Sequence, residues 1–470
     1  MTTLSLDEKA KILKNNLAFL DRMRILEPAR NDQVGFDFQG LCRSYQDNPD
    51  HPDAASVARF GRIWIYDAAL TIYALVKVGR LRQAGAMVGR VMQLALQERA
   101  KGFEGIWHFS YNTLGDSFID PRGPLGANAW CLSAVYAYIL ASQDTSALEW
   151  ANRMVREVLF GLQVVQPADP RYGLMRAGLY CADDVNRGEQ MGYHVYEGDF
   201  NHRYEGVILE HSADVACTYR LCYRAVKRFA PQQGGFLNEL VQRHDILMQG
   251  IRRCFWQKDH FVSAMDGKGR LYTGTDGEHS IAVDNNTWSA HLFLPYEPEL
   301  VRSSIRYVEE KFRVRTPPAH VEGHETAEQP PPMEGLYYFP ATFVDPFVWI
   351  PQEHRVKMEN LLHPEAAYGF ILLLNDLAAQ TADPAEQERL RERAENLYAD
   401  TIRLSRLYGP EGAPYASANV PTIFSTLQSV TTAASAAIAT AVLSGVDGGD
   451  FVGAQPPPEF LVAGKPPRAA

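Results

Sequence analysis

Leu209-Glu210-His211-Ser212-Ala213-Asp214 sets two acids and a histidine within six residues. Glu210 and Asp214 stand four apart, so on a helix they share one face. The stretch from Val215 to Val226 is rich in Ala, Cys, Tyr and Leu and stays uncharged until Arg220, the pattern of a buried helix. Carboxylates turned into a cavity lose solvation and hold their protons to higher pH, which suits general acid–base work. The alternative is structural, with Glu210 capping its helix and Asp214 in a buried ion pair.

Residues of the same kind stand ahead of other apolar segments. Trp64, Tyr66 and Asp67 open one; Tyr111, Asn112, Asp116, Asn128 and Trp130 surround a second; Glu205 joins Glu210 at the third. Asp284, Asn285, Asn286 and Trp288 open a fourth, Glu334, Tyr337, Tyr338, Trp349 and Glu359 lead to a fifth, and Tyr415, Asn419 and Gln428 to a sixth. Aromatic faces stack on sugar rings, amides and acids satisfy hydroxyls, and paired carboxylates supply a proton and a base. Each residue taken singly is as readily a helix cap or a core aromatic. Six clusters in step are harder to explain that way.

Two kinds of helix alternate and would position these clusters. Ile65–Val78, Ala127–Ala141, Glu210–Val226, Asn286–Leu294, Glu365–Leu377 and Ser429–Leu443 are apolar nearly all round, as interior helices are. Arg82–Arg99, Ala147–Leu162, Leu237–Phe255, Glu299–Phe312 and Pro384–Leu407 each carry one charged face and read as an outer layer. Inner helices alternating with outer ones predict an all-α (α/α)6 barrel of helical hairpins, with long loops and short β-hairpins at one mouth. Parallel inner helices bring their N-termini, and the six clusters, to that mouth. We expect one toroid over residues 1–445 and a free Gly/Pro-rich tail over 446–470. Asp266-Gly267-Lys268-Gly269 between Phe261–Met265 and Arg270–Thr273 predicts a hairpin. Gln163–Tyr204 reads as irregular, and the Pro-, Glu- and His-rich Arg315–Met333 as a mobile flap beside the cleft.

The chain has 470 residues, 46% hydrophobic and 22% charged, with a formal net charge of −10. No basic stripe exists to displace counterions from phosphates, so nucleic acid is not an expected partner. Six scattered cysteines lack a C-x-x-C pair and read as reduced. Met1–Arg24 reads as an amphipathic helix rather than a signal peptide. No membrane span is expected, the nearest candidate being Thr431–Leu443, and the expected location is cytoplasmic. No Walker A or Rossmann glycine pattern follows a strand, and no G-x-S-x-G elbow is present, so no cofactor is expected. His320-Val321-Glu322-Gly323-His324-Glu325 and Asp183-Asp184 hold ligand-type residues but match no metal motif, and no metal is expected.

The chain resembles the six-hairpin glycosidase superfamily, most of all a group of bacterial members with Tyr-Asp-Gln-Ala-Leu, Gly-x-Asn-Ala-Trp and Ser-Thr-Glu-His-Asn-x-Asp motifs. The counterparts are Tyr66-Asp67-Ala68-Ala69-Leu70, Gly126-Ala127-Asn128-Ala129-Trp130 and Leu209-Glu210-His211-Ser212-Ala213-Asp214; Val283-Asp284-Asn285-Asn286-Thr287-Trp288 is similar to the family's Leu-Asp-x-x-Thr-Trp. Ser212 replaces the family's Asn, and the late Trp-x-Glu-Gly-Thr motif has two partial matches, Met358-Glu359-Asn360 and Glu334-Gly335. The resemblance implies hydrolysis of a glycosidic bond in a glycan or oligosaccharide. Glu210 is one carboxylate of the expected pair, Glu359 or Glu334 the other, and Asp67 assists. Trp64, Tyr66, Asn128, Trp130, His211, Asp214, Asp284, Trp288 and Tyr337 are the expected substrate contacts. Other chemistries of the scaffold remain open: sugar epimerisation, polysaccharide elimination or cyclisation, which would draw on His211, His108 or His194, and a binding protein without chemistry.

Overall fold

The computed structural model describes residues 4–32, 34–48, 50–51, 61–113, 122–180, 201–273, 279, 281–316, 321, 332–337, 361–419, 425–446 and 456–463. Helices dominate. They are α1 (Leu6–Met23), α2 (Ile65–Lys77), α3 (Leu81–Ala100), α4 (Leu125–Ser142), α5 (Leu148–Met154), which runs through a π turn at Val155–Leu159 into α6 (Phe160–Leu162), α7 (Leu209–Phe229) and α8 (Gly234–Phe255). They continue as α9 (Val283–Asn286), α10 (Trp288–His291), α11 (Pro298–Lys311), α12 (Pro364–Gln380), α13 (Pro384–Leu407), α14 (Val430–Leu443) and α15 (Pro458–Ala463).

Helices α2, α4, α7, α9/α10, α12 and α14 touch in that order, and α14 closes back on α2. This inner ring is the expected (α/α)6 toroid. Its outer partners are α3, α5, α8, α11, α13 and α1. The N-terminal helix is therefore the sixth outer helix, packed on α14 and tied to α13 by a Lys9–Glu395 ion pair of 2.5 Å. A large hydrophobic core fills the space between the layers, with Trp107, Tyr136, Tyr219, Tyr368 and Tyr398 fully buried, and Val314, Val321, Met333, Leu362 and Leu404 form a second, smaller cluster. Outer helices show why they are amphipathic: α13 buries Leu390, Ala394, Leu397 and Tyr398, while Arg393 on another face pairs with Glu309 of α11 at 2.6 Å.

Three expectations change. The 18-residue α4 carries no charge and is, by length and hydropathy (1.3), a better candidate span than Thr431–Leu443. It is 83% buried as a wall of the toroid instead. The irregular Gln163–Tyr204 contributes β6 (Arg176–Tyr180), and the overlapping β7 (His202–Ile208) follows it. Both join β5 (Gly123–Pro124) and β8 (Ala264–Met265) in an antiparallel sheet ordered β5-β6-β7-β8. The tail is not free throughout: in α15 the Phe460 ring is 1% exposed, 4.4 Å from the His244 ring and 5.0 Å from that of Tyr223.

The hairpin turn at Asp266–Gly269 forms as expected. The Asp266 carboxylate accepts from the backbone of Lys268 and Arg270, and Gly269 takes φ +78°. Near the N-terminus β1 (Arg30–Asn31) pairs with β2 (Phe36–Asp37), and around the mouth β3 (Arg62–Trp64) pairs with β4 (Ser110–Asn112). The ends of the segment read as a flap are joined by β9 (Arg313–Thr316) and β10 (Met333–Leu336). Residues 317–320 and 322–331 lie outside the described residues, as do Asp183-Asp184 and His194.

Candidate active site

Counting from the first residue of each inner helix reveals one register. The second residues are Tyr66, Gly126, Glu210, Asp284, Glu365 and Thr431. The sixth residues are Leu70, Trp130, Asp214, Trp288, Gly369 and Ser435, with α9 and α10 counted as one interrupted helix. Every one of these except Thr431 lines a single cavity of about 310 Å³ inside the ring, and Thr431 donates to the Glu365 carboxylate at 3.4 Å. Four residues are little more than one helical turn, so the second and sixth positions point the same way.

Glu210 and Glu365 are matched acids on separate helices. Neither caps its helix: α7 has no side-chain cap at Ile208, and α12 is capped by His363, whose Nδ1 accepts from the Ala366 N–H at 3.2 Å. Burial, then the charges of Asp284 and Glu365, push the Glu210 carboxyl up to about 8. Burial and Asp284 push Glu365 up to about 7, against the opposing Tyr66 hydroxyl, which donates to its Oε1 at 2.5 Å. Glu365 thus has a donor that favours its ionised form, and Glu210 is the better proton holder.

Among the described residues Asp214 forms no ion pair. Its Oδ1 accepts from Trp288 Nε1 at 2.7 Å, while Oδ2 is buried without a hydrogen bond. Burial and Glu210 raise this carboxyl well above its usual range, against the Trp288 and Trp130 indoles. The two indoles stack with centroids 4.7 Å apart, and Tyr66 meets Trp130 edge-on at 5.5 Å. His211 places Nδ1 3.1 Å from the Ala177 carbonyl, so Nδ1 carries the proton and Nε2 is left as an acceptor. Burial lowers His211 to about 4 and His363 to about 3, so both rings are neutral. A side chain at Gly126 would meet the His211 ring at 2.5 Å and Asp214 Oδ2 at 2.9 Å. Glycine lets α4 approach them.

Of the expected site residues, the cavity wall contains Glu210, Tyr66, Trp130, His211, Asp214, Asp284 and Trp288. Asp67 lies behind it, hydrogen-bonded to Ser44 and pushed by burial up to about 8. Trp64 packs edge-on against Phe109, which lines the cavity in its place. Asn128 faces away because the fourth position of α4 points opposite to the second and sixth. Its amide bonds the backbone of Trp107 at 2.9 and 3.0 Å and Pro124 O at 2.9 Å.

Glu334 is corrected as a candidate. Burial would raise its carboxyl, but Arg313 at 2.6 Å and Arg393 outweigh that and hold it below the usual range, in an ion cluster outside the cavity. Tyr337 packs beside it, its N–H on Phe312 O. Glu359 lies outside the described residues, as does Asp116. His108 pairs with the buried Glu98 at 3.0 Å, away from the cavity lining. Sequence reasoning missed Glu365, His363 and His291. The signal for Glu365 was its place: second in an apolar helix, as Glu210 is.

No family model and no curated protein matches the chain. Solved structures do. D-mannose isomerase matches with a TM-score of 0.59 at 10% identity, over 93% of this chain and 98% of that one. Cellobiose 2-epimerase from Spirochaeta thermophila gives 0.52 at 11%, over 94% and 96%. A glycosidase gives 0.51 at 12%, over 94% and 99%. It has also been solved with either of two glutamates replaced by alanine, once with glucose bound, and with a tyrosine replaced by phenylalanine. These likenesses establish the (α/α)6 fold.

Proposed function

We propose that the chain is a glycoside hydrolase acting on a small saccharide or glycoside. The observation that carries this reading is the Glu210–Glu365 pair, set on one cavity with Tyr66 donating to Glu365. Glu210, which holds its proton to about pH 8, protonates the glycosidic oxygen as the C–O bond breaks. Ionised Glu365 either takes the proton of the attacking water or bonds the anomeric carbon itself; the anomer first released separates these routes. Trp130, Trp288 and Tyr66 offer faces for the sugar ring. A glycosidase of the same fold in which two glutamates and one tyrosine were singled out for replacement supports the reading.

A second reading rests on the two neutral histidines. His211 Nε2 can accept a proton, and His363, whose Nδ1 accepts from Ala366, carries one on Nε2. Such a pair suits proton transfer next to a carbonyl, and isomerases and epimerases share the fold. Incubating the enzyme with a saccharide panel in labelled solvents decides. Hydrolysis places ¹⁸O from water on the anomeric carbon; epimerisation places deuterium from D₂O on C2 and cleaves nothing. Deuterium without ¹⁸O-labelled cleavage product overturns the hydrolase reading.

A further inference from the structure

The cavity is deeper on one side than on the other. On α4 and α7 the lining stops at the sixth position, at Trp130 and Asp214, whereas on the interrupted α9/α10 it runs past Trp288 to His291, the ninth residue counted from Val283. Across the ring, α2, α12 and α14 present Leu70, Gly369 and Ser435. Beneath the small Gly369 and Ser435 the wall continues to Leu372 and Ile438, each the ninth residue of its helix. Seven residues separate Glu365 from Leu372, about 10 Å along a helix axis. The lobe below the carboxylates is therefore walled mainly by Leu70, Leu372 and Ile438, with Gly369 and Ser435 above them and His291 to one side. His291 stands at the same depth, with its Nε2 bonded to Asp376 at 2.8 Å.

Gly369 explains itself only through this space. It sits inside α12, where glycine is a poor helix former. It has no positive φ, and a Cβ built on it meets nothing nearer than Thr287 Oγ1 at 3.9 Å. Close packing forbids no side chain at this position; what a side chain would do is fill the lobe. Sugar rings carry hydroxyls on nearly every carbon, and those would lose their hydrogen bonds against Leu372 and Ile438.

We infer that this lobe is a subsite for a compact apolar or aromatic group attached to the sugar, so that the substrate is a glycoside of a hydrophobic aglycone rather than a plain oligosaccharide. The inference rests on the sugar-binding reading above. With the sugar ring between the carboxylates and the Trp130–Trp288 pair, the apolar group reaches down between α2, α12 and α14.

Calorimetric titration with non-cleavable thioglycosides tests it, using phenyl and methyl 1-thio derivatives of gluco-, galacto- and manno-hexoses in both anomers. For the sugar that binds, the phenyl compound should bind at least about tenfold tighter than the methyl one. Gly369→Val should remove that difference while the melting temperature stays level or rises. Equal binding of phenyl and methyl compounds overturns the subsite and leaves the sugar reading standing. A phenyl preference that survives Gly369→Val overturns its location. Binding of no thioglycoside in the panel overturns both readings together.

Discussion

Glu210 and Glu365 are acids whose chemistry is decided by neighbours they acquire on folding. Glu365 has the Tyr66 hydroxyl, while Glu210 faces other acids, so the proposed hydrolysis needs Glu365 ionised and Glu210 protonated. Activity should rise through about pH 7 and fall through about pH 8, a narrow bell in a kcat/KM profile. Tyr66→Phe withdraws the donor from ionised Glu365, and the acid limb should move up by about one pH unit, the size of one charged hydrogen bond. An unmoved acid limb would assign it to another group. Glu365→Gln should cost about 10²–10⁴ in turnover and yet stabilise the fold. Both carboxyls titrate higher in the folded chain than their ordinary value of 4.5. The folded state thus binds more protons between about pH 4.5 and 8, and stability falls as pH rises through that window. Removing one such group should raise the melting temperature by roughly 1–3 °C at pH 8 and have little effect at pH 4. A lower melting temperature at pH 8 would mark Glu365 as a structural acid.

At the scale of elements, the inner helices divide their first turns between the cavity and the loop before them. Positions two and six face the cavity; position four faces back. Asn128 on α4 and Asn286 on α9 both stand fourth, and each amide holds the N–H and C=O of one residue in the preceding loop, Trp107 and Phe261. Ser212 holds the same place on α7 and, among the described residues, accepts from the Met175 N–H at 3.4 Å. The asparagine motifs that looked like substrate contacts are latches that seat a helix beneath its loop. Asn128→Ala leaves the buried Trp107 backbone unpaired and should cost about 2–3 kcal/mol in urea unfolding, with sugar affinity of the folded fraction unchanged. A loss of affinity without a loss of stability would return Asn128 to the binding set. The helices themselves were legible from residue types, because all-round apolar and one-face-charged sequences have different places to go. The strands β6 and β7 were not: they pair across the segment 181–201, and such partners leave no local period.

At the scale of the whole molecule, the first and last described helices both pack on the toroid from outside. Helix α1 covers α14, and α15 lies on α8 with Phe460 among His244 and Tyr223 and Glu459 paired to Lys227. Phe460→Ala should cost about 3 kcal/mol in unfolding free energy, at the lower end for a buried ring because the segment can collapse onto the hole. A change under about 0.5 kcal/mol, the scale of surface substitutions, would make α15 an ornament.

The amino-acid sequence alone determined the toroid, since helix polarity and apolar periodicity are properties of neighbouring residues. It also determined that acids and aromatics meet at the helix N-termini. Which acids pair was decided only by the tertiary structure. Glu334, Glu359 and Glu365 differ little as residues, and a carboxylate becomes catalytic or structural by what stands opposite. Arg313 of β9 and Arg393 of α13 claimed Glu334, whereas the register of α12 turned Glu365 toward Tyr66 and Glu210 across the ring. The deep lobe has the same origin: a glycine, a serine and three aliphatic residues on three separate helices become a chamber only when the ring closes around them.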